Sequence, residues 1–161
     1  MDKESEFVQI IKRNEGVIFK ITTFYTDNKA DQQDLYQDIV YQLWKSFDSF
    51  RGEAKFSTWM YRIALNTALT RIKKKKRDGR LVSIEKVVLQ QAENYDQTFE
   101  EQLRLLYKQI GQLNAIEKGI MLLLLEGKKY EEIAEITGIS PSNVGTKISR
   151  IKQKMKSELK N

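Results

Sequence analysis

The 161-residue chain carries 28 Lys/Arg against 22 Asp/Glu, a net charge of +6 with a pI near 9.4, and 40% hydrophobic residues, enough to fold as one domain or two small ones. It has no Cys and no His, which excludes disulfides and thiolate metal sites, removes the commonest metal ligand and neutral-pH acid–base group, and weighs against an enzyme or a bound cofactor. No signal-peptide pattern opens the chain and the longest apolar run, Ile120 to Leu125, is far too short to span a bilayer, so a cytoplasmic protein without membrane insertion is expected.

Charge is distributed in blocks. Residues 1–50 hold 6 basic against 9 acidic side chains, 51–80 hold 10 against 2, 81–117 hold 3 against 6, and 118–161 hold 9 against 5. Net charge points to a polyanionic partner, and two basic patches that alternate with two acidic segments are a layout unsuited to a uniformly basic coat.

Helical spacing dominates and no alternating strand stands out, so the fold class is all-α. In the first segment Phe7, Ile10, Ile11, Val17, Ile18, Ile21, Phe24 and Tyr25 recur near helical pitch. A second helix is expected to begin near Asp31, with Asp31 and Asp34 as cap and first-turn acid and an apolar face of Leu35, Ile39, Val40, Leu43, Trp44 and Phe47. The connector "FRGEAKFST" leads, with Ser57 and Thr58 as cap candidates, into "FSTWMYRIALNTALTRIKKKKR". Projected at helical pitch, that stretch is apolar on most of its circumference. Only Arg62, Asn66, Thr70 and Lys73 form a narrow polar strip, with Trp59 at its edge.

A membrane-surface helix wants one apolar face and a broad basic one, so this pattern fits a bundle helix that shows one polar line to a partner. Trp59 beside Met60 and Ile63 reads either as core or as a stacking platform for an unpaired base. The run from Lys73 to Arg77 reads either as a solvated helix end or as a clamp on a nucleic-acid backbone. Together these helices make a first domain over residues 1–77. The Gln- and Asn-rich segment 78–97 lacks a sustained period and reads as a linker.

The second domain, 98–161, opens on Leu103, Leu106, Tyr107, Ile110 and Leu113, and Asn114 with Glu117 forms a capping-box pattern for a helix through Leu125 that Gly127 stops. Tyr130 to Thr137 predicts a short helix with Ile133 and Ala134 inward. Gly138 turns the chain, Ile139 plugs the corner, Ser140 is the N-cap, and Pro141, the only proline, takes the first helical position. Val144, Ile148, Ile151 and Met155 form the next buried stripe, which leaves Ser142, Asn143, Thr146, Lys147, Ser149 and Arg150 exposed. This is a helix-turn-helix pattern, and no acid occurs from Ser140 to Lys156, as suits a helix lying in the major groove.

"DLYQDIVYQLWKSFDSFRGEAKFSTWMYRIALNTALTRIKKKKR" resembles the second conserved region of bacterial sigma factors of the extracytoplasmic-function (ECF) group, and "LNAIEKGIMLLLLEGKKYEEIAEITGISPSNVGTKISRIKQKMK" resembles their fourth region. The resemblance implies a non-enzymatic sigma factor that binds core RNA polymerase, directs it to promoter DNA and assists melting. An anti-sigma factor is implied as a further partner. By position, Asp34, Asp38, Tyr41, Gln42 and Lys45 are expected to dock on the polymerase. Lys55, Ser57, Thr58, Trp59, Arg62 and Asn66, continued by Thr70, Lys73, Lys74 and Lys75, are expected at the minus-ten element. The exposed helix-turn-helix residues, Ser142 through Arg150, are expected at the minus-thirty-five element. Gly145 stands where many relatives carry a basic residue, and Leu65 replaces a frequent Arg. The rival readings are a stand-alone helix-turn-helix regulator and a protein-interaction adaptor.

Overall fold

At the first turn, Asp2 accepts a hydrogen bond from the Ser5 amide at 2.7 Å, which satisfies one of the amides a helix start leaves unpaired and holds the Asp2 carboxyl below its ordinary range. Helix α1 (Lys3–Tyr25) follows. The computed structural model describes residues 2–50, 55–77 and 97–159. Among them every regular element is helical, and the chain divides into two units, Met1–Val82 and Ser83–Asn161. The linker expected over 78–97 lies outside the described residues except at Gln97, which begins a helix.

In the first unit α1 packs against α2 (Lys29–Ser46) and α3 (Phe56–Arg77), and α2 packs along α3. The core is formed by Ile18 and Ile21 of α1, Leu35, Ile39 and Leu43 of α2, and Met60, Ala64 and Ala68 of α3. Alanines at 64 and 68 let neighbouring backbones approach. Two buried polar side chains between α1 and α2 are paired: Thr26 Oγ1 donates to the Thr22 carbonyl at 2.6 Å, and Gln32 Nε2 donates to Thr23 Oγ1 at 2.8 Å, tying the start of α2 to the end of α1.

Two start signals differ from expectation. Asn28, not Asp31, caps α2: its side chain accepts from the Asp31 amide at 2.8 Å, and Asp31 becomes a first-turn acid. Ser57 and Thr58 are not caps, because α3 already begins at Phe56 and the Trp59 amide bonds the Lys55 carbonyl. Trp44, assigned above to the inner stripe of α2, lies partly outside it, with Lys3 Nζ 4.5 Å from its ring centre.

The second unit contains α4 (Gln97–Gly111), α5 (Ala115–Leu125), α6 (Tyr130–Thr137) and α7 (Pro141–Leu159). The capping box is formed in both directions, Asn114 Oδ1 accepting from the Glu117 amide at 2.9 Å and Glu117 Oε1 from the Asn114 amide at 3.0 Å. Helix α5 ends where Gly127 turns to φ +80°, and the Lys128 amide returns to the Leu123 carbonyl at 3.0 Å. Ile120, Leu123, Ile133, Val144, Ile148 and Ile151 make the core, and Gln109 Nε2 donates to the Met155 carbonyl at 2.9 Å to fasten α4 onto α7.

Candidate nucleic-acid interface and docking face

In the second unit the turn between α6 and α7 is set by Gly138 at φ +79°, a left-handed conformation that a Cβ would strain. Ser140 Oγ accepts from the Asn143 amide at 3.3 Å and Pro141 opens α7. With Val144, Ile148, Ile151 and Met155 inward, Ser142, Asn143, Thr146, Ser149 and Arg150 are exposed and Lys147 is half-buried. Thr146 Oγ1 donates back to the Ser142 carbonyl at 3.1 Å, which leaves its oxygen as an acceptor toward a partner. A Cβ built on Gly145 would meet the Tyr130 ring at 3.6 Å, ordinary contact, so the gap in the basic face at this position is covered by an aromatic ring.

In the first unit the strip on α3 stands as a line. Arg62, Asn66, Thr70 and Lys73 are all exposed, with Lys74 beside them and Lys55 exposed ahead of the helix. Ser57 is half-buried. Two expected members need correction. Thr58 is 1% exposed, turned into the core within the first turn of α3, and cannot touch DNA. Lys75 is held by Asp31 at 2.8 Å with its side chain only 14% exposed, because the last turns of α3 lie along the acidic start of α2. Trp59 is half-buried in a cluster with Phe50, Phe56 and Phe47, ring centres 5.2, 5.5 and 6.4 Å away.

On α2, Asp34, Asp38, Tyr41 and Lys45 are exposed and Gln42 is half-buried. Arg71 of α3, which the sequence reading left out, reaches across to this face: its Nη1 lies 3.0 Å from Asp38, and its Nη2 3.8 Å from Asp34 and 3.7 Å from Asp31. A groove of about 680 Å³ between α2 and α3 runs from Asp38, Tyr41 and Gln42 to Asn66, Thr70 and Lys74, so the acidic face and the polar strip share one boundary. A smaller, apolar groove of about 370 Å³ lies on the other flank of Tyr41, lined by Phe7, Tyr36, Val40 and Trp44. Exposed Tyr41 and Trp44, three residues apart, were the available sign of it.

Asp31 reports on the α2–α3 contact. Its hydrogen bond from Lys75, then that from Asn28 and the charges of Lys75 and Arg71, hold its carboxyl below the ordinary range despite partial burial. Because the folded value lies below the unfolded one, this stabilisation is present above the ordinary carboxylate range and is lost as pH falls through the folded value. Thermal melting against pH should therefore show Asp31→Asn less stable than the wild type at neutral pH, the two curves converging in acid; parallel curves would mean that the pair contributes nothing.

Comparison with known proteins matches these two units separately. The family model described as "Sigma-70 region 2" covers residues 10–78 and that described as "Sigma-70, region 4" covers residues 103–155. The ECF RNA polymerase sigma-E factor of Haemophilus influenzae is 30% identical over 173 residues, spanning 98% of this chain and 89% of the relative. That of Escherichia coli K12 is 27% identical over 165 residues, spanning 93% and 84%. Among solved structures, the sigma factor RpoE in complex with the anti-sigma factor NepR from Bartonella quintana superimposes with a TM-score of 0.74 at 19% identity, over 96% of this chain and 97% of that one. CnrH in complex with the cytosolic domain of CnrY gives 0.69 at 19% identity, over 98% and 90%.

Proposed function

The chain belongs to the ECF group of the sigma-70 family, factors that direct RNA polymerase to promoters, and from that premise we propose how its surfaces divide the work. Residues 1–77 take the core polymerase and the minus-ten element. Asp34, Asp38 and Tyr41 dock on the enzyme, with Gln42 and Lys45 at the margin and the apolar groove around Trp44 extending the contact. Arg62, Asn66, Thr70, Lys73 and Lys74 hold the separated strand, and Lys55, Ser57 and Trp59 form its upstream edge. Residues 98–161 take the minus-thirty-five element through Ser142, Asn143, Thr146, Lys147, Ser149 and Arg150. Residues 78–97 connect the two.

The observation that carries this reading is the pairing of a helix-turn-helix with an exposed reading face and a separate bundle that carries a polar strip next to an acidic face. A stand-alone regulator needs only the first of these, and an adaptor needs neither polar face. No catalytic role is assigned, since nucleotide addition belongs to the polymerase. The protein works in the cytoplasm, where promoters are, and an anti-sigma factor, such as the NepR bound to RpoE in one of the solved complexes, would restrain it if it covered these surfaces.

Reconstitution tests the division. Purified chain added to core polymerase and genomic DNA fragments should yield transcripts from discrete start sites, and Asp38→Lys should reduce both polymerase binding and transcript yield. Sequence-specific DNA binding without any polymerase-dependent start site would favour the stand-alone regulator instead.

A further inference from the structure

Arg71 and Lys75 continue the stripe of α3 that buries Ala64 and Ala68, at positions where an apolar residue would be expected. Their place is explained by what faces them. Asp31, Asp34 and Asp38 recur along one side of α2; Lys75 meets Asp31 at 2.8 Å, and the Arg71 fork lies 3.0 Å from Asp38, 3.8 Å from Asp34 and 3.7 Å from the Asp31 that Lys75 also engages. The Arg71 side chain is 21% exposed, whereas those of Asp38 and Asp34 are 56% and 64% exposed. The cation thus lies at the floor and the acids keep oxygens open to solvent. Its Nε is buried without an acceptor, so the head is oriented by its terminal nitrogens alone.

We infer that Arg71 is a positioning residue for polymerase binding, holding Asp34 and Asp38 as one fixed acidic pair even though its own charge lowers the negative potential of that face. The inference rests on the docking role proposed for those two acids. A planar fork can address two carboxylates at once, which a lysine ammonium, a point charge, cannot do with the same geometry. Charge alone makes the opposite prediction: removing a cation from an acidic face should strengthen its attraction to a basic partner.

The test is the affinity of the full chain for core polymerase, with thermal melting recorded for every variant. Arg71→Met, which keeps much of the apolar stem, should weaken binding about tenfold, the scale of ordering two side chains that were previously held. Arg71→Lys, which retains the charge, should weaken it severalfold and so decides the matter if Arg71→Met does not fold. In a chain already carrying Asp34→Asn and Asp38→Asn, Arg71→Met should add little. Binding by Arg71→Met as tight as or tighter than wild type, wild-type binding by Arg71→Lys, or an undiminished loss in the Asn background would each overturn the inference. Asp38→Lys separates the two levels. Wild-type affinity in that variant removes the docking role itself, and a loss there with none in Arg71→Met removes only the positioning role.

Discussion

Ile133→Ala should unfold the helix-turn-helix unit or leave it barely stable, with loss of minus-thirty-five recognition. Ile133 is fully buried in α6, where α5 and α7 meet it. Removing a buried Ile side chain to Ala costs about 2–5 kcal/mol, the transfer term plus the cavity left behind. Small domains have total stabilities near the lower end of about 5–15 kcal/mol, so one such loss takes a large share. Melting followed on the full chain should show a low-temperature transition absent from the wild type, and promoter binding should fall with it. Arg150→Ala provides the contrast, because Arg150 is exposed on α7: melting should stay unchanged while upstream discrimination relaxes by roughly 1–3 kcal/mol if it reads a base. Equal melting for Ile133→Ala and wild type would refute the packing assigned to α6.

Trp59→Ala should reduce both stability and initiation, in unequal parts. The residue is half-buried among three phenylalanines, so truncation gives up one large aromatic surface and its tilted ring contacts with Phe50 and Phe56, about 2–3 kcal/mol in all. That is less than the roughly 3–5 kcal/mol of a fully buried aromatic. Trp59 keeps one side accessible, and Lys55 and Arg62, four and three positions away along the chain, are exposed. A base can use that side only after it leaves the duplex stack, at a cost of a few kcal/mol. Initiation by Trp59→Ala on a template mismatched over the minus-ten region should therefore recover in part, and the melting deficit should remain. Trp59→Phe, which keeps a ring in the cluster, should recover most of both. No rescue at all on the mismatched template, with a large melting loss, would assign Trp59 to the core alone.

The expectations that the sequence supported most firmly rest on local rules. The Asn114–Glu117 box, the turn at Gly138, the Ser140 cap and the Pro141 start involve residues within a few positions of one another, and backbone geometry limits what such neighbours can do. The polar strip of α3 was legible for a similar reason, since Arg62, Asn66, Thr70 and Lys73 keep one side at helical pitch whatever packs on the other. Where two caps could compete, locality was insufficient: Asn28 and Asp31 lie three apart, both able to cap, and the choice depended on where α1 ended and Gln32 met Thr23.

By itself the sequence determined an all-helical chain, the helix-turn-helix and its buried stripe, and the resemblance to sigma-factor regions in order. Only the tertiary structure decided which charges remain available. Lys75 reads as part of a basic run, yet it is engaged by Asp31; Asp34 and Asp38 read as bare acids, yet Arg71, 33 positions from Asp38, holds them. Helical periodicity says which side of a helix a charge occupies. It says nothing of which helix lies opposite, and these ion pairs are properties of two helices brought together by the apolar residues between them.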